Sequence, residues 1–199
     1  MQTVETGTRS DRLSDHDGEI RDLMVRYQNA EPAAVDALIR RLSPTLLSYF
    51  SATGFNSADR EDLLQECWLR VHRSRHTYRS TEPVLPWIFA IARHTRLDAL
   101  RRRWRRQGRE VAEQDAPERY LSGASHPGNQ SAEFEDLIAK LPESQREVIV
   151  MLKVSGMTVE EIARATGTTA GAVKQKAHRA YEKLRLLLGV SAARNGRGR

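Results

Sequence analysis

The stretch TVEEIARATGTTAGAVKQKAHRAYEKLRLLL, residues 158–188, decides how this chain is read. Thr158 followed by Glu161 is a capping box. The threonine oxygen accepts from the third helical amide while the glutamate reaches back to the amide of Thr158. Gly167 supplies the left-handed turn that ends this short helix. Thr168 is the expected cap of a second helix that continues from Thr169. At about 100 degrees per residue, Val173, Ala177, Ala180, Leu184, Leu187 and Leu188 fall on one apolar stripe. Gly171, Lys174, Gln175, His178, Arg179 and Glu182 fall on the other side. A short helix, a glycine turn and a longer basic helix make a helix-turn-helix.

The polar side of the second helix has the chemistry of a duplex reader. Glutamine bonds adenine through two atoms, and arginine or lysine bonds guanine. Ala170 and Gly171 are small enough for backbone to approach phosphate closely. Thr169, Gly171, Lys174, Gln175, His178 and Arg179 are therefore the candidate contacts to duplex DNA.

Outward from this motif the chain is helical throughout, and the expected class is all-α. Of 199 residues, 39% are hydrophobic and 29% charged, with a net charge of +6. That balance suits small helical cores carrying polyanion-binding patches. Apolar residues recur at three and four from Leu23 and Tyr27 through Val35, Leu38, Leu42, Leu46, Leu47 and Phe50. Pro32 suits the first turn of a second helix, and Ser57 is placed to cap a third. A loop is expected from about His76 to Pro86, then a helix from Trp87 to about Arg106. That helix ends in the densest basic cluster, Arg101-Arg102-Arg103-Trp104-Arg105-Arg106.

The expected organisation is a disordered N-terminus over 1–16 and a helical domain over 17–106. A Gly- and Pro-containing linker follows over 107–131, with helical period resuming at Glu133. A helix-turn-helix domain then covers 132–189, and a disordered basic tail 190–199. On the Trp87 helix, Phe89, Arg93, Leu97, Leu100 and Trp104 share a face that reads mainly as core. Trp87, Ile91, His94, Asp98, Arg101 and Arg105 share the opposite one. Basic residues with an aromatic ring can hold phosphates and an unstacked base. Asp98 would repel phosphate, so it is expected to pair with Arg101 or Arg102.

With these residues in hand, Leu141-Pro142-Glu143-Ser144-Gln145-Arg146-Glu147-Val148 becomes informative. Followed by Thr158–Ala163 and Gly171–Lys174, it resembles region four of bacterial sigma factors. Asp62-Leu63-Leu64-Gln65-Glu66 resembles the polymerase-binding helix of region two. Trp87–Arg93, Asp98 and the arginine run resemble the parts of region two that meet the minus-ten element. With only these two modules, the chain is similar to the extracytoplasmic-function (ECF) group. The resemblance implies core RNA polymerase and promoter DNA as partners, and an anti-sigma factor as a third. Core polymerase would meet Asp62, Gln65, Glu66 and Arg70. Tyr78, Arg79, Trp87, His94, Arg101, Arg102 and Arg105 would engage the minus-ten element, and the helix-turn-helix residues the minus-thirty-five element. Three departures stand out. His94 occupies a position where many relatives have Asn, residues 78–83 lack a common Gly-Asp pair, and His178 stands where an aromatic or leucine is frequent.

Other readings fare worse. No catalytic residue, cofactor or metal site is expected. His72 and His76 are four apart without an evident third ligand, and no phosphate loop or nucleophile elbow occurs. Acid pairs such as Glu61-Asp62 and Glu160-Glu161 suit helix N-termini. No small-molecule substrate is expected, and no membrane insertion, since no apolar run reaches about 18 residues. The first residues lack the apolar stretch of a secretion signal, and one cysteine, Cys67, fits a reducing cytoplasm. The alternatives are a helix-turn-helix regulator that binds an operator without polymerase, and a recombinase-like enzyme. The first would need no polymerase-binding helix, and the second would need a catalytic serine or acid cluster that is not evident.

Overall fold

A computed structural model describes residues 9–106 and 130–189, with side chains over 17–105, at 134 and over 136–189. Most of the expected linker, 107–129, and the tail, 190–199, lie outside the described residues. Among the described residues the chain is helical without a strand. Its helices are α1 (Arg9–Gln28), α2 (Pro32–Ala52), α3 (Ser57–Ser74), α4 (Val84–Arg106), α5 (Gln130–Ala139), α6 (Glu143–Lys153), α7 (Val159–Thr166) and α8 (Ala170–Leu187).

Several boundaries differ from the spacing argument, each for a local reason. Helix α1 reaches back to Arg9, inside the segment expected to be disordered. No proline or glycine lies between Arg9 and Asp17 to stop it. Helix α3 is capped by Asn56, not Ser57: the Asn56 side chain accepts from the Asp59 amide at 2.9 Å. Helix α4 starts at Val84, three residues before Trp87. Pro86 therefore sits in its first turn, where the missing amide would have had no intrahelical partner anyway.

The capping box at Thr158 forms as expected. The Glu161 amide donates to Thr158 Oγ1 at 3.2 Å, and the Thr158 amide donates to Glu161 Oε2 at 2.7 Å. Gly167 takes φ of 65°. The cap of α8 is Thr169, whose hydroxyl accepts from the Ala172 amide at 3.1 Å. Thr168 instead exchanges a hydrogen bond with Thr166 at 2.9 Å.

Helices α1 to α4 pack in succession, and α6, α7 and α8 pack on one another. The two modules also touch. Helix α7 lies along α4, and α5 and α6 lie against α2, so one apolar core runs through both. Cys67 is fully buried in it, and burial pushes its thiol up to about 12. Arg146 is also buried and donates to the carbonyls of Ile138, Ala139 and Leu141, answering the open end of α5. The apolar stripe of α8 stops at Leu184. Leu187 and Leu188, expected to continue it, are 43% and 61% exposed because no described element covers the last turn.

The α1–α2 corner holds a strained residue. Ala30 has φ of 62°, the one non-glycine with positive φ among the described residues. A Cβ in the left-handed region costs about 1 kcal/mol. Ala30→Gly should raise the urea midpoint by a stability gain of about 0.5–1 kcal/mol with an unchanged m-value. An unchanged or lower midpoint would show that the turn is not strained.

Candidate functional site

The exposed candidate residues lie on three surfaces. On α3, Asp62 and Gln65 are exposed, and Leu69 beside them is 51% exposed. Leu69 was not singled out from sequence, although a leucine seven residues after Asp62 lies off the buried line of Leu63, Cys67 and Val71. Behind this face, a cleft of about 530 Å³ sets Asp59, Asp62 and Glu66 against Arg102 and Arg103.

Arg70, expected at the polymerase face, has partners within the protein. Its Nε donates to Glu66 at 2.8 Å and its Nη1 to Asp98 at 2.7 Å. Half-buried between the two carboxylates, it ties α3 to α4. Asp98 also accepts from Arg101 at 3.3 Å, the expected pairing, beside the shorter bond from Arg70. The hydrogen bond from Arg70, with the charges of Arg70 and Arg101, outweighs burial and holds Asp98 below its ordinary value.

The second surface surrounds the start of α4. Trp87 is half-buried, and its ring centroid lies 5.6 Å from that of Tyr78. Tyr78 is only 4% exposed, and its hydroxyl donates to the Glu82 carbonyl at 2.7 Å. Expected as a DNA contact, it is buried here and braces the loop, and burial pushes its hydroxyl up. Gln28 fixes the same loop by donating to the carbonyls of Arg75 and Tyr78 at 2.7 and 2.9 Å. The braced loop and Trp87 line a cleft of about 300 Å³ with Arg79 at its rim. Further along α4, His94, Arg101, Arg102 and Arg105 are exposed.

The third surface is α8. Gly171, Lys174, Gln175, His178 and Arg179 are all exposed, while Val173, Ala177 and Ala180 are buried. The Thr169 hydroxyl is occupied as the helix cap. A Cβ at Gly171 would meet only Thr169 Oγ1, at an ordinary 3.9 Å, so the fold itself does not require glycine there.

A fourth cluster went unread in the sequence. Arg96, 1% exposed, bonds Glu143 and donates to Glu147 Oε1 at 3.2 Å and to the Tyr49 hydroxyl at 3.3 Å. The Tyr49 hydroxyl donates to Glu147 at 2.7 Å, and Arg93 approaches the same carboxylate at 3.4 Å. Burial raises the Glu147 carboxyl, but Arg96 and Arg93 outweigh it and hold the group below the usual carboxylate range. This cluster joins α2 and α4 to α6, across the two modules.

The Sigma-70 region 2 family matches residues 38–106, and Sigma-70, region 4 matches residues 131–184. The RNA polymerase sigma factor CarQ of Myxococcus xanthus is 32% identical over 83% of this chain and 95% of its own length. The chain belongs to the ECF sigma factors. The ECF RNA polymerase sigma factor SigF of Caulobacter vibrioides is 31% identical, covering 86% of this chain and 95% of SigF. Two solved structures share the fold. CnrH, in complex with the cytosolic domain of CnrY, gives a TM-score of 0.66 at 22% identity, covering 87% of this chain and 99% of that one. RpoE of Bartonella quintana, in complex with the anti-sigma factor NepR, gives 0.61 at 24% identity over 77% and 97%. As a sigma factor the protein binds core RNA polymerase, directs it to specific promoters and assists their melting. A regulator independent of polymerase is not favoured, since region 2 is present beside region 4.

The Arg70 brace is open to test. Asp98 has a depressed folded pKa, so its contribution to this sigma factor's stability is present above the ordinary carboxylate pKa of about 3.9. It is lost as pH falls through the lower folded value. Arg70→Ala should cost about 1 kcal/mol at neutral pH and should return the Asp98 carboxyl upward in an NMR titration. An Asp98 carboxyl that titrates unchanged would assign its shift to Arg101.

Proposed function

We propose that the three exposed surfaces divide the work of initiation. The α3 face of Asp62, Gln65 and Leu69 docks on core polymerase, with Glu66 held behind it by Arg70. The cleft at Trp87 and Arg79 takes a base of the melted minus-ten strand, while His94, Arg101, Arg102 and Arg105 line the path of its backbone. Tyr78 supports that cleft from inside. The α8 side chains of Lys174, Gln175, His178 and Arg179 read the minus-thirty-five duplex, with Gly171 admitting a phosphate.

The observation that carries this reading is the segregation of exposed charge. The polymerase face on α3 is acidic and partly apolar, whereas the α4 and α8 faces are basic. Phosphate favours the latter two and repels the former. Catalysis has no part in this scheme, because every surface acts by binding. No helix among the described residues is long and apolar enough to cross a membrane. We place the protein in the cytoplasm, with the polymerase and DNA that it serves. CnrH and RpoE were each solved with a protein partner, RpoE with an anti-sigma factor. An inhibitor of that kind is the expected third partner here.

Run-off transcription by core polymerase on a pool of genomic promoter fragments, with and without the protein, tests the whole scheme. New transcripts that need both spaced elements are expected. Protein that binds duplex DNA but yields no transcript would sink it.

Two variant sets separate the surfaces. Gln175→Ala or Arg179→Ala should weaken discrimination at the minus-thirty-five element by about 1–3 kcal/mol per lost base contact. Unchanged sequence preference in both would remove these residues from the duplex interface. Joint substitution of Asp62 and Gln65 by Ala should weaken polymerase binding and leave the thermal melt unchanged. Normal holoenzyme assembly would move the docking face elsewhere.

A further inference from the structure

We propose that the packed arrangement of the two modules is a self-locked state. The buried cluster of Tyr49, Arg96, Glu143 and Glu147 is its latch, and Arg164 closes the minus-ten cleft. The inference rests on the assignment of that cleft to a minus-ten base, and extends it to regulation by the chain itself.

The first argument is geometric. The two promoter elements stand about 25 base pairs apart, or ~85 Å at ~3.4 Å per pair. In the packed form α7, the first helix of the duplex-reading motif, lies directly against α4, the minus-ten helix. Packed helices have axes about 8–10 Å apart, so both elements cannot be read until the modules separate. The chain between them can supply most of that distance, and the breadth of the two modules the remainder. Residues 107–129 reach up to ~80 Å when fully extended, at ~3.5 Å per residue.

The second argument is occlusion. Arg164 of α7 lines the same cleft as Tyr78, Arg79 and Trp87, and its Nη1 donates to Glu82 at 3.1 Å. A base entering beside Trp87 must displace a guanidinium contributed by the other module. The α8 face stays exposed in this state, so locking denies the minus-ten strand and leaves the duplex-reading side chains uncovered.

The third argument concerns what kind of contact the latch is. Burying Arg96 and Glu147, with Arg93 and Glu143 partly covered beside them, costs desolvation that offsets much of their mutual attraction. Separation returns every one of them to water, so this polar centre resists opening less than apolar side chains of the same area would, while the apolar core around it still favours the packed form. The geometry is nevertheless specific, since Glu147 must meet Tyr49 and both arginines at once. An interface that is exact in register and modest in net strength suits a two-state element.

The test uses the full-length protein. Small-angle scattering gives its radius of gyration, and fluorescence anisotropy its affinity for a labelled single-stranded oligonucleotide carrying a minus-ten sequence found by run-off transcription. The double variant Glu143→Gln with Glu147→Gln should enlarge the radius. It should also tighten oligonucleotide binding by about tenfold if the open form of the wild type is populated at about one tenth. An unchanged radius in a folded variant overturns the latch. A larger radius with unchanged oligonucleotide affinity keeps the latch and rejects the cleft as the minus-ten site.

In case that variant fails to fold, Glu82→Cys with Arg164→Cys offers a second route, bridged by a short bis-maleimide. Efficient bridging of the free chain is expected, with a fall of about tenfold or more in run-off transcription relative to the unbridged double variant. Failure to bridge, or bridged protein that transcribes as well as unbridged, overturns the proposal.

Discussion

The guanidinium of Arg96 is the group on which the arrangement of the molecule turns. It is buried in α4, a helix of the first module, yet its carboxylate partners Glu143 and Glu147 belong to α6 of the second. A buried arginine cannot shed its charge as a lysine can, so it must be matched by carboxylate or exposed to water. That requirement places α6 against α2 and α4, and with it α7 along α4. Tyr49 completes the match by donating to Glu147 and accepting from Arg96. The apolar core that runs between the modules then fills in around a polar centre with little freedom of register.

Within each module, polar side chains serve position more often than contact. Arg70, Tyr78, Gln28 and Thr169 all looked available for partners or sit beside residues that do. Each is instead held within the protein: Arg70 bridges two helices, Tyr78 and Gln28 brace one loop, and Thr169 caps one helix. These internal bonds make the exposed neighbours rigid. Gln65 projects from a helix tied down by Arg70, Trp87 from a helix whose lead-in loop is fixed at both ends, and Gln175 from a capped helix. Preorganisation of this kind lowers the entropy lost when a nucleic acid or protein surface is met.

The sequence was most legible where the deciding interactions are local. The capping box of Thr158 and Glu161, the turn at Gly167 and the buried line of Val173, Ala177 and Ala180 all follow from spacing within two turns. Caps were misplaced by one residue at Asn56 and Thr169 because adjacent side chains carried equivalent oxygens, and only backbone geometry chooses between them. Pro86, expected at the end of a loop, lies in the first turn of α4, where proline costs no hydrogen bond. Periodicity gave the buried side of α8 but not the point past Leu184 where its cover ends. Arg96 escaped notice because its partners lie 47 and 51 residues away. From spacing alone, a charged residue on an apolar face announces that a partner is needed without saying where it is. The exposed faces of α3, α4 and α8 were readable from charge pattern. The roles of Arg70 and Tyr78 were not, since both depend on neighbours brought by tertiary packing.

The 51-residue separation of Arg96 from Glu147 also imposes an order in time. The packing of α1 through α4 joins mostly consecutive helices and can form as soon as those helices leave the ribosome. At about 5–20 residues per second, Glu147 follows Arg96 by roughly 3–10 s. Until Glu147 has emerged, α4 lacks its cover from α6 and its central arginine stays hydrated. Each molecule thus begins life with its two halves apart, and the packed form is something that it later becomes.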